Sequence, residues 1–316
     1  MQITEHIYST HIKEDQSTFG AMHPGGTQIY FVGKLNEGMV LVDSGEPYRH
    51  WTRQILDYHE ELGRPRMSAI LITHGHGDHI GGLDRLQEAF GCPVRCHPRL
   101  APVLAQRLGE GCVVKLRSKE LVWTGHSTSS GRADDTPILT FPRQEGRDDS
   151  GSGGVDSTGS NGGSRGVSLR ALFTPGHEED HVCYYLRADN VLFSGDNILG
   201  NSSSSVRNLK QYMASLELMA KQRPAIICPG HGQTIHNGEA RIRWYLHHRQ
   251  EREDQVVAAL QHGAETVDDA VTAVYSRNLR KNLRGAAARN VGTHLAKLRE
   301  EGRVTENPAT YTVNHD

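Results

Sequence analysis

Three apolar runs, in "LFTPGH", "LFSGD" and "IICPGH", each lead directly into a histidine or an aspartate. Short apolar runs closed by glycine or proline read as buried strands. Strands of an α/β sheet gather their ends along one edge, so His177, Asp196 and His231 are expected on a single rim. "MSAILIT" leads in the same way into "HGHGDH", which places His74, His76, Asp78 and His79 within six residues, and "MVLVD" ends on Asp43. "QIYFVG" is read as the strand that precedes "MVLVD". Between these strands Trp51, Ile55, Tyr58 and Leu62 recur at helical spacing, as do Leu209, Met213, Leu216 and Ala220, and "LDRLQEAF" reads as a helix ended by Gly91. This alternation of strands and helices predicts an α/β domain over residues 1–238.

Two stretches depart from that pattern. In residues 125–166, eighteen of forty-two residues are glycine or serine, too polar to bury themselves, so the stretch is read as a surface insertion whose apolar island "ILTF" adds no core. After Gly238 the chain turns helix-rich, with "ARIRWYLHHRQEREDQVVAALQ", "TVDDAVTAVY" and "AAARNVGTHLAKLREEGRV", and closes on a hairpin ending "TYTVNHD". Three helices and a hairpin predict a small winged-helix-like module over residues 239–316.

Composition narrows the functional classes. A formal net charge of −2 on 316 residues argues against a wholly basic nucleic-acid coat, so any basic surface is local. With no run of eighteen apolar residues and no leader-like N-terminus, a cytoplasmic protein with no membrane partner is expected. The five cysteines are scattered and odd in number, which argues against a disulfide framework; Cys92 and Cys96 lack the second pair that a zinc knuckle needs. Neither a serine-hydrolase elbow nor a phosphate-cradling loop occurs in a strand-to-helix setting.

The chemistry therefore rests on nitrogen and carboxylate. Alternate residues of an extended loop point the same way, so His74 and His76 can serve one metal while Asp78 and His79 face a second. Asp196 is placed to bridge the two, and this donor set suits zinc. Asp43 and His181 are read as residues that orient the ligands from behind. The run Ser202 to Ser205 is read as a turn or a substrate-contact loop.

Asp43, "HGHGDH", His177, Asp196 and His231, in that order, resemble the five motifs of the metallo-β-lactamase superfamily. The resemblance implies an αββα sandwich with two Zn2+ ions, His74, His76 and His177 holding one, Asp78, His79 and His231 the other, and Asp196 bridging. "TPGHEEDHVCYYL", "FSGDNILG", "QYMASL", "PGHGQTIHNGEARI" and "HHRQERE" are similar to the β-lactamase-like protein 2 family, which carries a winged-helix-like C-terminal module. That likeness implies a single-stranded RNA endoribonuclease that attacks phosphorus with a zinc-bound hydroxide, the Asp78 and Asp196 carboxylates orienting the water. "GNSSSS" replaces a more threonine-rich turn of that family, and the Gly/Ser insertion is foreign to it. Fungal thioesterases share several of the motifs, so a thioester or small ester is the alternative substrate; a non-catalytic nucleic-acid-binding scaffold is a third reading, disfavoured by the full ligand set. Five basic residues between Arg277 and Arg289, with no acid before Glu300, nominate Arg280 and Arg284 as RNA phosphate contacts.

Overall fold

The computed structural model describes residues 1–13, 26–124, 167–200, 202–275, 279–307 and 310–313. The "ILTF" island, the rest of residues 125–166 and Arg277 lie outside them. One sheet has seven strands in sequential order: β1 (Gln2–Thr4), β2 (Ile7–Ile12), β3 (Thr27–Lys34), β4 (Gly38–Val42), β5 (Met67–Leu71), β6 (Val94–Cys96) and β7 (Val113–Lys115). The other has five, β8 (Leu121–Thr124), β9 (Ser168–Phe173), β10 (Val182–Leu186), β11 (Val191–Gly195) and β12 (Ile226–Pro229), which neighbour one another in that order. The first sheet is antiparallel up to β4 and parallel from β4 to β7; in the second only β11 and β12 run parallel.

The period of two along the strands sorts side chains into layers. On β3, Tyr30 and Val32 face the second sheet and meet Leu169, Tyr184 and Phe193, while Ile29 and Phe31 face the opposite way. That outer face is covered by α1 (Arg49–Glu61), α3 (Leu83–Phe90) and α4 (Ala101–Leu108); the single turn α2 (Gly77–Ile80) precedes α3. The outer face of the second sheet is covered by α5 (Leu209–Ala220) and the first half of α6 (Gly238–Gln261), through Leu216, Met219, Ile242 and Tyr245. The result is the expected αββα sandwich. Gly91 ends α3 at a φ of 61°, as read from the sequence.

Beyond it, α7 (Val267–Val274), α8 (Lys281–Glu300) and the hairpin of β13 (Val304–Asn307) with β14 (Thr310–Val313) form the C-terminal module. Its core joins Val256 and Leu260 of α6 to Val271, Val291, Leu295 and Leu298. A boundary drawn at residue 238 thus falls at the start of one unbroken helix that contributes to both cores. Strands β1, β2, β6, β7, β8 and β10 and helix α4 were not among the sequence expectations. Cys92 and Cys96 are buried and free, packed in the outer core of the first sheet. Among the described residues no helix is long and apolar enough to cross a membrane.

Candidate metal centre

Strands β4, β5, β9, β11 and β12 end on one rim of the sandwich and deliver Asp43, the 74–79 loop, His177, Asp196 and His231. The two sheets are tied there by the Thr27–His231 bridge and by Gln28 N, which donates to Gly230 O at 2.8 Å. Seven side chains fall into two groups, His74, His76, His177 and Asp196 in one and Asp78, His79 and His231 in the other, each group able to converge on a metal ion.

Asp196 faces both groups. Its Oδ2 lies 4.0 Å from His74 Nε2 and 3.7 Å from His177 Nε2, while Oδ1 lies 3.4 Å from the Nε2 atoms of both His79 and His231. His76 turns Nδ1 inward, 2.9 Å from His74 Nε2 and 3.3 Å from His177 Nε2. Asp78 Oδ2 is 2.9 Å from His231 Nε2.

Each imidazole has its other nitrogen held from behind. Asp43 Oδ2 accepts from His79 Nδ1 at 2.8 Å, Glu178 Oε1 from His76 Nε2 at 2.8 Å, and the Ser205 carbonyl from His177 Nδ1 at 2.8 Å. Thr73 Oγ1 stands 3.1 Å from His74 Nδ1, and the Gly26 carbonyl 3.2 Å from His231 Nδ1. An N–H held on the outer nitrogen leaves the inner one with a lone pair, the tautomer a metal requires. Asp43 also fixes the loop itself, accepting from Thr73 N at 2.8 Å. His181 belongs to neither group. Its Nε2 accepts from Asp196 N at 3.2 Å, and its ring stacks on His74 with centroids 5.1 Å apart.

The electrostatics agree with a site built for cations. Burial opposes charge on His74 and drives it well below the usual imidazole range. At His231 burial is outweighed by the negative charge of the Asp196 carboxylate and by the Asp78 carboxylate beside it, which lift it to about 9. His79 is likewise lifted, against burial, by Asp78, Asp43 and Asp196. Asp196, despite its burial, is held well below the carboxylate range by His231 and His79. The buried His79 Nε2 and Asp196 Oδ1 nonetheless make no hydrogen bond, which fits donors aimed at an ion between them.

The proposed phosphate contacts sit elsewhere, in the C-terminal module. Arg280 is exposed at the start of α8. Arg284 is not free: its guanidinium is 2.7 Å from Asp268 Oδ1 of α7 and 3.0 Å from Thr272 Oγ1. The basic run, acid-free in sequence, therefore meets an acid in space. Glu178, Thr73 and Ser205 were missed as orienting residues. Only the three acids after His177 in "PGHEED" hinted at the first of them.

Comparison with known proteins agrees with this geometry. The model of the Metallo-beta-lactamase superfamily matches residues 23–231, and that of the Beta-lactamase associated winged helix domain matches 266–310. The lactamase-like protein aptB of Emericella nidulans is 30% identical over 301 residues, 92% of this chain and 81% of that protein. An atrochrysone carboxyl ACP thioesterase of Aspergillus fumigatus is 28% identical over 88% of this chain. The lactamase-like protein adaB of Aspergillus niger is 32% identical over 77% of it. The chain spans only about three fifths of some of these relatives, 58% of the thioesterase and 61% of adaB. Among solved structures, a beta-lactamase domain protein from Burkholderia ambifaria is 17% identical with a TM-score of 0.71, covering 99% of this chain and 93% of that one. A metallo-beta-lactamase family protein from Thermus thermophilus is 21% identical with a TM-score of 0.64, covering 98% of each chain.

Proposed function

The chain belongs to the metallo-β-lactamase superfamily, and from that premise we propose that it is a two-zinc hydrolase acting on acyl thioesters, ahead of the RNA cleavage expected from the sequence. The observation that carries the hydrolase reading is Asp196, which turns one carboxylate oxygen toward each ligand group. The preference for a thioester is supported by the thioesterase among the relatives and by the Asp268 pairing of Arg284, with which a phosphate would have to compete at one of the two proposed contacts.

In thioester hydrolysis a water oxygen bonds to the carbonyl carbon, the C–S bond breaks, and the departing sulfur takes up a proton. Zinc ions would supply polarisation of the carbonyl oxygen and a water acidic enough to attack at neutral pH. The chain's own residues prepare that event. Asp43, Glu178 and the Ser205 carbonyl hold three imidazoles in the ligating tautomer. Asp78 and Asp196, both ionised, accept hydrogen bonds from the attacking water and so aim its lone pair.

The test is to supply the purified protein with an acyl-carrier-protein thioester and, separately, with labelled single-stranded RNA. Chelator-sensitive thiol release is expected. RNA cleavage without thiol release overturns the thioester assignment. The RNA reading keeps one observation in its favour: Arg280 is exposed at the N-terminus of α8, whose first turn carries no acid, an end where the helix dipole disfavours cations unless an anion joins them. On that reading Arg280→Gln flattens the salt dependence of RNA binding by about 0.7 in log–log slope.

A further inference from the structure

We propose that one face of α6 positions His177, and thereby controls metal capture by His74, His76, His177 and Asp196; this rests on the metal-hydrolase reading above. Arg241, Tyr245 and Arg249 recur every four residues and form one stripe along the helix. Each grips the loop that follows β11. Arg241 Nη2 donates to Leu199 O at 3.3 Å, Tyr245 Oη donates to Ser202 O at 2.8 Å and accepts from Leu199 N at 3.2 Å, and Arg249 Nη2 donates to Ser204 O at 2.7 Å. The next carbonyl, that of Ser205, is the acceptor for His177 Nδ1.

Arg249 is the decisive member. It is buried, its Nε makes no hydrogen bond, and among the described residues it has no carboxylate partner; the Tyr212 ring lies 5.4 Å below its guanidinium. A cation buried without a counter-charge costs free energy, so stability is not what this arrangement improves. What the guanidinium gains is a charge-assisted hold on the peptide beside the one that fixes the His177 tautomer. Because α6 runs unbroken from this stripe into the core of the C-terminal module, that module and the metal rim share one rigid rod.

The test is calorimetric titration of the metal-stripped full-length protein with Zn2+, comparing wild type, Arg249→Met and Tyr245→Phe. Wild type should bind two equivalents. In Arg249→Met one equivalent should keep its affinity and the other weaken at least about ten-fold; in Tyr245→Phe the same equivalent should weaken a few-fold. A purely structural role would lower the melting temperature and leave both affinities unchanged, and that result overturns the inference. Should Arg249→Met fail to fold, Tyr245→Phe decides alone by the same criterion. A wild type that binds no zinc overturns the hydrolase reading and this inference with it.

Discussion

Asp196 shows how much can hang on two oxygens, since they face different ligand groups at distances of 3.4–4.0 Å. Asp196→Ala is expected to lose zinc from at least one group and nearly all hydrolysis, as read by elemental analysis beside a thiol-release assay. Asp43 offers a finer substitution. It sits at a φ of 64°, in a left-handed conformation that asparagine tolerates, so Asp43→Asn isolates the hydrogen bond to His79 without disturbing the backbone. Zinc affinity should fall about 10–100-fold with little change in melting temperature. Equal affinity would mean that Asp43 supports only the loop. The seven ligand candidates were legible because each follows an apolar strand directly. Glu178, Thr73 and Ser205 were not, because what they hold becomes adjacent only once the strands assemble.

Among elements, the two "PGH" corners explain why glycine precedes each histidine. A Cβ on Gly176, whose φ is 136°, would lie 2.4 Å from Tyr212 Cα on α5, so β9 can turn toward the rim only with no side chain there. A Cβ on Gly230 would lie 2.7 Å from Asp196 Oδ1 and 2.8 Å from His79 Cε1, inside the ligand group itself. Gly176→Ala should therefore destabilise the fold by at least about 2 kcal/mol, read as a lowered denaturation midpoint. Gly230→Ala should instead act first on zinc content. A Gly176→Ala variant of wild-type stability would show that this corner is softer than its packing implies. Strands β3, β4, β5, β9, β11 and β12 were readable from apolar runs. By contrast β2 was missed because it buries Ser9 and Thr10, polar residues that dilute the hydrophobic signal. Strands β6 and β7 have only three residues each, too few for a period to show.

At the scale of the whole molecule, α6 joins the sandwich to the C-terminal module, and Glu253 marks the join. Lys297 Nζ and Arg303 Nη1 reach its carboxylate at 2.8 Å and 2.7 Å. Burial would raise its pKa, but His294, Lys297 and Arg303 outweigh burial and bring it down to about 2. A carboxylate depressed on folding stabilises above its unfolded pKa, near 4.5, and that contribution is lost as pH falls through about 2. Glu253→Gln should thus be less stable than wild type at pH 7 by on the order of 2 kcal/mol, with the gap closing between about pH 4.5 and 2. A gap that stays constant across that range would remove Glu253 from the account. The helical tail was legible in sequence, but not its sharing of α6 with the sandwich, because an amphipathic pattern does not say which core each turn enters. The most direct test of the central claim, a paired metal site shared through Asp196, is elemental analysis of the protein purified without chelators. The account predicts close to two zinc ions per wild-type chain and fewer in Asp196→Ala; a wild type free of metal, or one whose metal content is unchanged by Asp196→Ala, contradicts it.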